Sequence, residues 1–94
     1  MLFAIHCLDH SGAYPKRLEH YDEHRAHLAD APFKLVLSGP LLDDRGQARI
    51  GSLLVVDAPS KEDVLQFSRN DPFQRHGVWN TVNVNAYVVT TDNR

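Results

Sequence analysis

One cysteine, Cys7, is all the thiol this 94-residue chain has, so no internal disulfide can staple it. A reducing compartment, the cytoplasm, is the expected setting. Long apolar runs are missing as well. The stretch from Met1 to Leu8 is broken by His6, has no basic start and falls far short of the roughly 20 residues that span a bilayer. It reads as a strand, with no membrane partner. Charge of one sign is equally absent: 10 Lys and Arg are mixed with 12 Asp and Glu for a formal charge of −2, which offers nucleic acid no basic stripe. Nor is there a phosphate-cradling glycine loop, a dinucleotide fingerprint, a Gly-x-Ser-x-Gly or a Cys-x-x-Cys. Nucleotide, acyl-serine and dithiol chemistry have no foothold, and no cofactor is expected.

What is present is a globular composition, 43% hydrophobic and 23% charged, of a length that makes one domain over residues 1–94. Leu2 to Leu8 is rich in strand formers and stops at the turn residues Asp9-His10-Ser11-Gly12. From Pro15 to Ala31 the helical spacing of Leu18, Tyr21, Arg25 and Leu28 predicts one helix, ended by Pro32. Phe33 to Leu42, broken by Ser38-Gly39-Pro40, and Ile50 to Asp57 are strands flanking a hairpin tip at Asp43-Asp44-Arg45-Gly46. Ser60 with Asp63 resembles a capping box opening a second helix, which Asn70-Asp71-Pro72 closes. Val82 to Thr90 alternates as a half-buried strand, leaving Thr91 to Arg94 as a tail.

The order strand, helix, strand, strand, helix, strand predicts an α+β ferredoxin-like sandwich, a four-stranded antiparallel sheet with two helices on one face. Strands such as Leu35-Val36-Leu37 and Leu53-Leu54-Val55-Val56 are apolar on both sides. The uncovered face therefore needs a cover, and a second copy joined sheet to sheet in a homodimer is the economical one.

Six histidines exceed what core packing needs, and His20, His24 and His27 stack along one helical face. Three readings fit them: a solvated polar face, a metal grip, or a base oriented by a carboxylate. The metal reading lacks a third ligand for His20 and His24, so no metal is expected. For the base, Asp71 is the candidate partner, because Pro72 biases it out of helical geometry and lets its side chain turn inward. A carboxylate on one imidazole nitrogen fixes the tautomer and leaves the other nitrogen as the base.

The segments Lys16-Arg17-Leu18, His24 with Leu28, Leu37-Ser38-Gly39-Pro40-Leu41, Gly51-Ser52-Leu53 and Asp71-Pro72-Phe73 with Gly77 resemble, in order, the landmarks of the YCII-related family. That resemblance implies a dimeric α+β barrel and a His-Asp dyad of His24 and Asp71, with His27 the alternative histidine. It implies a substrate pocket with Arg17 facing an anionic oxygen and Ser38, Gly39, Pro72 and Phe73 nearby. The activity it implies is cofactor-independent dehydrochlorination of a chlorinated hydroxyhydroquinone, a lyase reaction of aromatic degradation. A muconolactone-type isomerase and a non-catalytic ligand-binding module are the alternatives. Phe73, Trp79 and Tyr87 are available to sandwich an aromatic ring, and Asn83, Asn85 and Arg17 to hold its oxygens.

Overall fold

The computed structural model describes all 94 residues. Strands β1 (Leu2–Asp9), β2 (Lys34–Leu42), β3 (Arg49–Asp57) and β4 (Trp79–Tyr87) form one antiparallel sheet in the order β2-β3-β1-β4. The helices are α1 (Tyr14–Glu19), α2 (Tyr21–Ala29), α3 (Lys61–Arg69) and α4 (Pro72–Arg75). This is the expected α+β ferredoxin-like sandwich.

Alternation along the strands sorts the side chains between two faces. Phe3, Ile5 and Cys7 of β1 pair with Val56, Leu54 and Ser52 of β3 and with Ala86, Val84 and Val82 of β4. On this face Phe3, Ile5, Cys7, Leu54, Val56 and Val84 are buried, with Val64 of α3 and Phe73 of α4 packed over them. The opposite face carries Leu8, Leu37, Leu53 and Tyr87, all more than 40% exposed. Asn83 and Asn85 lie there too, opposite His6 and Ala4.

Three boundaries differ from the expectation. The first helix is two, because His20 leaves helical geometry at φ −102°, ψ 11° and serves as the last cap of α1 and the first of α2. Ser38-Gly39-Pro40 does not interrupt β2, which instead absorbs an extra residue at Val36, between the paired Leu35 and Leu37. β4 begins at Trp79 and ends at Tyr87, since the tight turn at Gly77 (φ 73°) delivers the chain to the sheet three residues early. The second helix opens as expected, with Ser60 Oγ accepting from the Asp63 N–H at 3.2 Å.

Candidate active site

Asp71 sits between α3 and α4 in extended geometry, φ −66°, ψ 130°, as a residue before proline should. It is 1% exposed, and its Oδ1 accepts the Phe73 N–H at 2.9 Å, fixing the carboxylate's direction. That direction is toward α2. His24 Nδ1 lies 2.8 Å from Oδ1 and 3.0 Å from Oδ2 of Asp71. A buried carboxylate can only accept, so Nδ1 carries the proton and donates it, which leaves the Nε2 lone pair free. The Phe73 ring stacks on the imidazole at 3.9 Å and 8°, and the Trp79 ring meets it edge-on at 6.0 Å. Tautomer and ring plane are both held.

Beside this pair lies a buried ion pair. Arg17, 2% exposed, bonds Asp9 through Nε at 2.9 Å and Nη2 at 3.2 Å. Its Nη2 also reaches Gly51 O and Ser52 Oγ, each at 2.7 Å, and its Cζ lies 4.7 Å from the centre of the Phe73 ring. Ser52 Oγ in turn accepts from Trp79 Nε1 at 3.3 Å. The arginine charge is therefore met inside the protein by Asp9, and only Nη1 makes no hydrogen bond within the chain. Between the two buried carboxylates, the Cys7 thiol is pushed up to about 12, first by burial and then by Asp71 and Asp9. It is a packed, inert group.

A cavity of about 320 Å³ opens between α2 and the β2–β3 end of the sheet. Arg17, His24 and Ser52 form part of its wall, as do Ser38, Gly39 and Pro40. Tyr21, Arg25 and Arg49 line it too, together with Leu28, Leu35 and Leu54. Of the residues expected around a substrate, Arg17, His24, Ser38 and Gly39 thus share one cavity. The others do not. Phe73 is fully buried behind His24, Trp79 is 5% exposed in the core, and Pro72 is buried at the start of α4. Packing against the imidazole takes up the ring faces of Phe73 and Trp79. Tyr87, Asn83 and Asn85 point to the bare face because, beyond the register shift that puts Trp79 in the core, period-two alternation sends the odd-numbered residues from Thr81 onward away from the helices.

The histidine stripe faces the protein, not solvent. His27 Nε2 lies 2.9 Å from the Phe67 carbonyl, to which it donates, and its ring stacks on Phe67 at 4.3 Å. It borders a separate cleft with Phe33 and Phe67. His20 stacks on His76 at 3.9 Å and 4°, with Glu23 Oε1 3.3 Å from His20 Nδ1. His20, Glu23 and His76 could each offer a metal ligand. The stacked rings, however, hold their lone pairs in parallel planes 3.9 Å apart, so one ring must turn before both could point at a single ion.

A ferredoxin-like sandwich with a buried carboxylate-imidazole pair beside a cavity defines the class, a small α+β domain. Residues 1–87 match the model of the YCII-related domain, and the chain belongs to that family. It is similar to 5-chloro-2-hydroxyhydroquinone dehydrochlorinase (TftG) from Burkholderia phenoliruptrix AC1100, solved in complex with 2,5-dihydroxybenzoquinone, with 30% identity and a TM-score of 0.84 over 94% of each chain. A mutant of MhuD with two manganese protoporphyrin IX bound per active site shares the fold, with 14% identity and a TM-score of 0.52 over 97% of this chain and 95% of that one. So does At3g17210 from Arabidopsis thaliana, with 18% identity and a TM-score of 0.51 over 99% of this chain and 98% of that one. Comparison with curated protein sequences gives no significant match.

Proposed function

We propose that this chain is a cofactor-independent lyase that removes hydrogen chloride from a chlorinated hydroxyhydroquinone, with His24 as general base and acid and Asp71 as its orienting partner. The observation that carries the reading is the 2.8 Å bond from His24 Nδ1 to buried Asp71, which keeps Nε2 out of that bond on a residue lining the cavity. The likeness to a dehydrochlorinase supports it.

The chemistry balances without an oxidant. Nε2 takes a proton from a ring hydroxyl, and the negative charge moves to the chlorine-bearing carbon. That carbon accepts a proton, which the imidazolium can return. Loss of a second hydroxyl proton then expels chloride with both electrons of the C–Cl bond, leaving a hydroxyquinone. Two protons leave oxygen and one arrives at carbon, so the net loss is H⁺ and Cl⁻. A positioned base of matched pKa contributes about 10²–10⁴-fold to such a step. The partners are a small aromatic substrate and a second copy of the chain, which covers the bare sheet face in a homodimer.

The test is chloride release on incubating the purified protein with 5-chloro-2-hydroxyhydroquinone under anaerobic, reducing conditions. Stoichiometric chloride is expected, with the hydroxyquinone recovered as hydroxyhydroquinone by the reductant present. Exchange of ring protons with solvent without chloride release would instead identify an isomerase-like activity, and neither would leave a binding module.

A further inference from the structure

Among the 13 residues lining the cavity there are three arginines and no aspartate or glutamate. One of the three, Arg17, is matched by Asp9. The other two are not: the side chains of Arg25 in α2 and Arg49 in β3 form no ion pair or hydrogen bond within the chain. Both meet Tyr21, over whose ring the Arg25 guanidinium carbon lies at 5.7 Å and that of Arg49 at 5.4 Å. Two unmatched cations held on one aromatic ring repel each other, and a chain of formal charge −2 has acids enough to pair them elsewhere. Instead they stand in a concave site, where low-dielectric walls focus the field onto whatever enters.

We propose that Arg25 and Arg49, carried on Tyr21, form an oxyanion subsite of the cavity, distinct from the His24–Asp71 pair. The ligand class it selects is a small aromatic bearing a ring hydroxyl for His24 and a second, ionised oxygen group for the arginines. This rests on the acid-base reading of the cavity for the position of the hydroxyl, and it specifies what the rest of the ring must carry. Tyr21 holds the two guanidinium groups by cation-π contact while their N–H edges stay available for forked bonds to oxygen. Ligand binding relieves the repulsion between them, so part of the affinity depends on the ligand's charge and weakens with salt.

The test measures binding, not turnover, by calorimetry at low and high salt. Three probes suffice: 2,5-dihydroxybenzoquinone, whose hydroxyls are vinylogous acids ionised at neutral pH; 2,5-dihydroxybenzoate, which carries a carboxylate; and hydroquinone, which is uncharged. Proteins compared are wild type, Arg25→Gln, Arg49→Gln, the double variant, and Arg45→Gln, which removes one charge from the hairpin tip outside the cavity. Each cavity substitution should weaken the ionised probes about three- to tenfold. Hydroquinone should be unaffected, and Arg45→Gln should change nothing beyond twofold. A preference between the two ionised probes tells whether the subsite is shaped for a ring oxygen or a carboxylate. Unchanged affinity for both ionised probes in the double variant overturns the proposal, and so does failure of wild type to bind either. An equal loss for hydroquinone also overturns it, since that assigns the arginines to packing. Chloride release is a separate measurement, so an inactive protein that still discriminates charge refutes the lyase reading and not this one.

Discussion

His24 and His27 occupy the same helix, yet their surroundings give them different work. His27 donates to the Phe67 carbonyl from the only nitrogen that meets the protein, a bond worth about 1 kcal/mol of stability. His24 is held by Asp71 on one nitrogen and lines the cavity. The expected outcome is that His24→Ala and Asp71→Ala each lower kcat by about 10²–10⁴-fold, with the double variant little worse than the worse single one. Steady-state chloride release checks this. Asp71→Asn sharpens it, since an amide presenting its N–H to Nδ1 favours the other tautomer and turns the lone pair away from the cavity. His27→Ala should keep turnover near wild type while its urea midpoint falls. Two active His24 and Asp71 variants would end the dyad reading. Cys7 supplies a pH prediction. Burial keeps its thiol neutral in the fold up to about 12, while the unfolded thiol ionises from 9.0. A group whose folded pKa is raised stabilises fully below the unfolded value and loses that contribution as pH rises toward the folded one. Urea unfolding should therefore show wild type losing stability between pH 9 and 11 by up to about 1.4 kcal/mol per pH unit more than Cys7→Ala. Parallel pH curves would refute it.

At the level of elements, what the sequence made legible was whatever local chemistry controls. Ser60 and Asp63 declared the start of α3, Pro72 declared that Asp71 leaves the helix, and alternation declared β4, because caps, prolines and periodicity act within a few residues. The break at His20 was not legible, since neither glycine nor proline marks it and the contacts fixing His20 come from His76, 56 residues away. For the same reason Phe73 and Trp79 looked available to a ligand: only the fold presses them against His24. Arg25, Arg49 and Tyr21 were missed because they come from α2 and β3 and meet only in the cavity; Asp22, three residues before Arg25, reads as its helical partner in the sequence, and only the fold leaves that pair unmade. Gly51 shows why one short landmark matters. A Cβ there would collide with the Cys7 carbonyl oxygen of β1, and its own carbonyl accepts from Arg17. Gly51→Ala should cost about 1–3 kcal/mol by forcing β1 and β3 apart, and should lower turnover as Arg17 shifts. Thermal unfolding and chloride release measure the two effects; a wild-type Tm would contradict the close approach.

The whole molecule has one covered sheet face and one bare one. Four helices screen the first, while Leu8, Leu37, Leu53 and Tyr87 stand on the second at 41% to 47% exposure. Leaving such side chains in water forfeits about 25 cal/mol for each Å² of apolar surface, and a contiguous patch of them on a small domain marks an interaction surface. A twofold pairing of the sheets would cover Leu53 of each copy, a residue near the sheet centre that pairs across to His6 and Gly39. Light scattering at micromolar concentration should give twice the monomer mass. Leu53→Asp should halve that mass, because a carboxylate buried in an apolar interface without a partner costs more than the association returns. Since Leu53 contributes nothing to the helix-covered core, the variant's circular dichroism should stay that of the folded chain. A wild-type monomer, or a Leu53→Asp protein that remains dimeric, would place the interface elsewhere and leave the bare face to another partner.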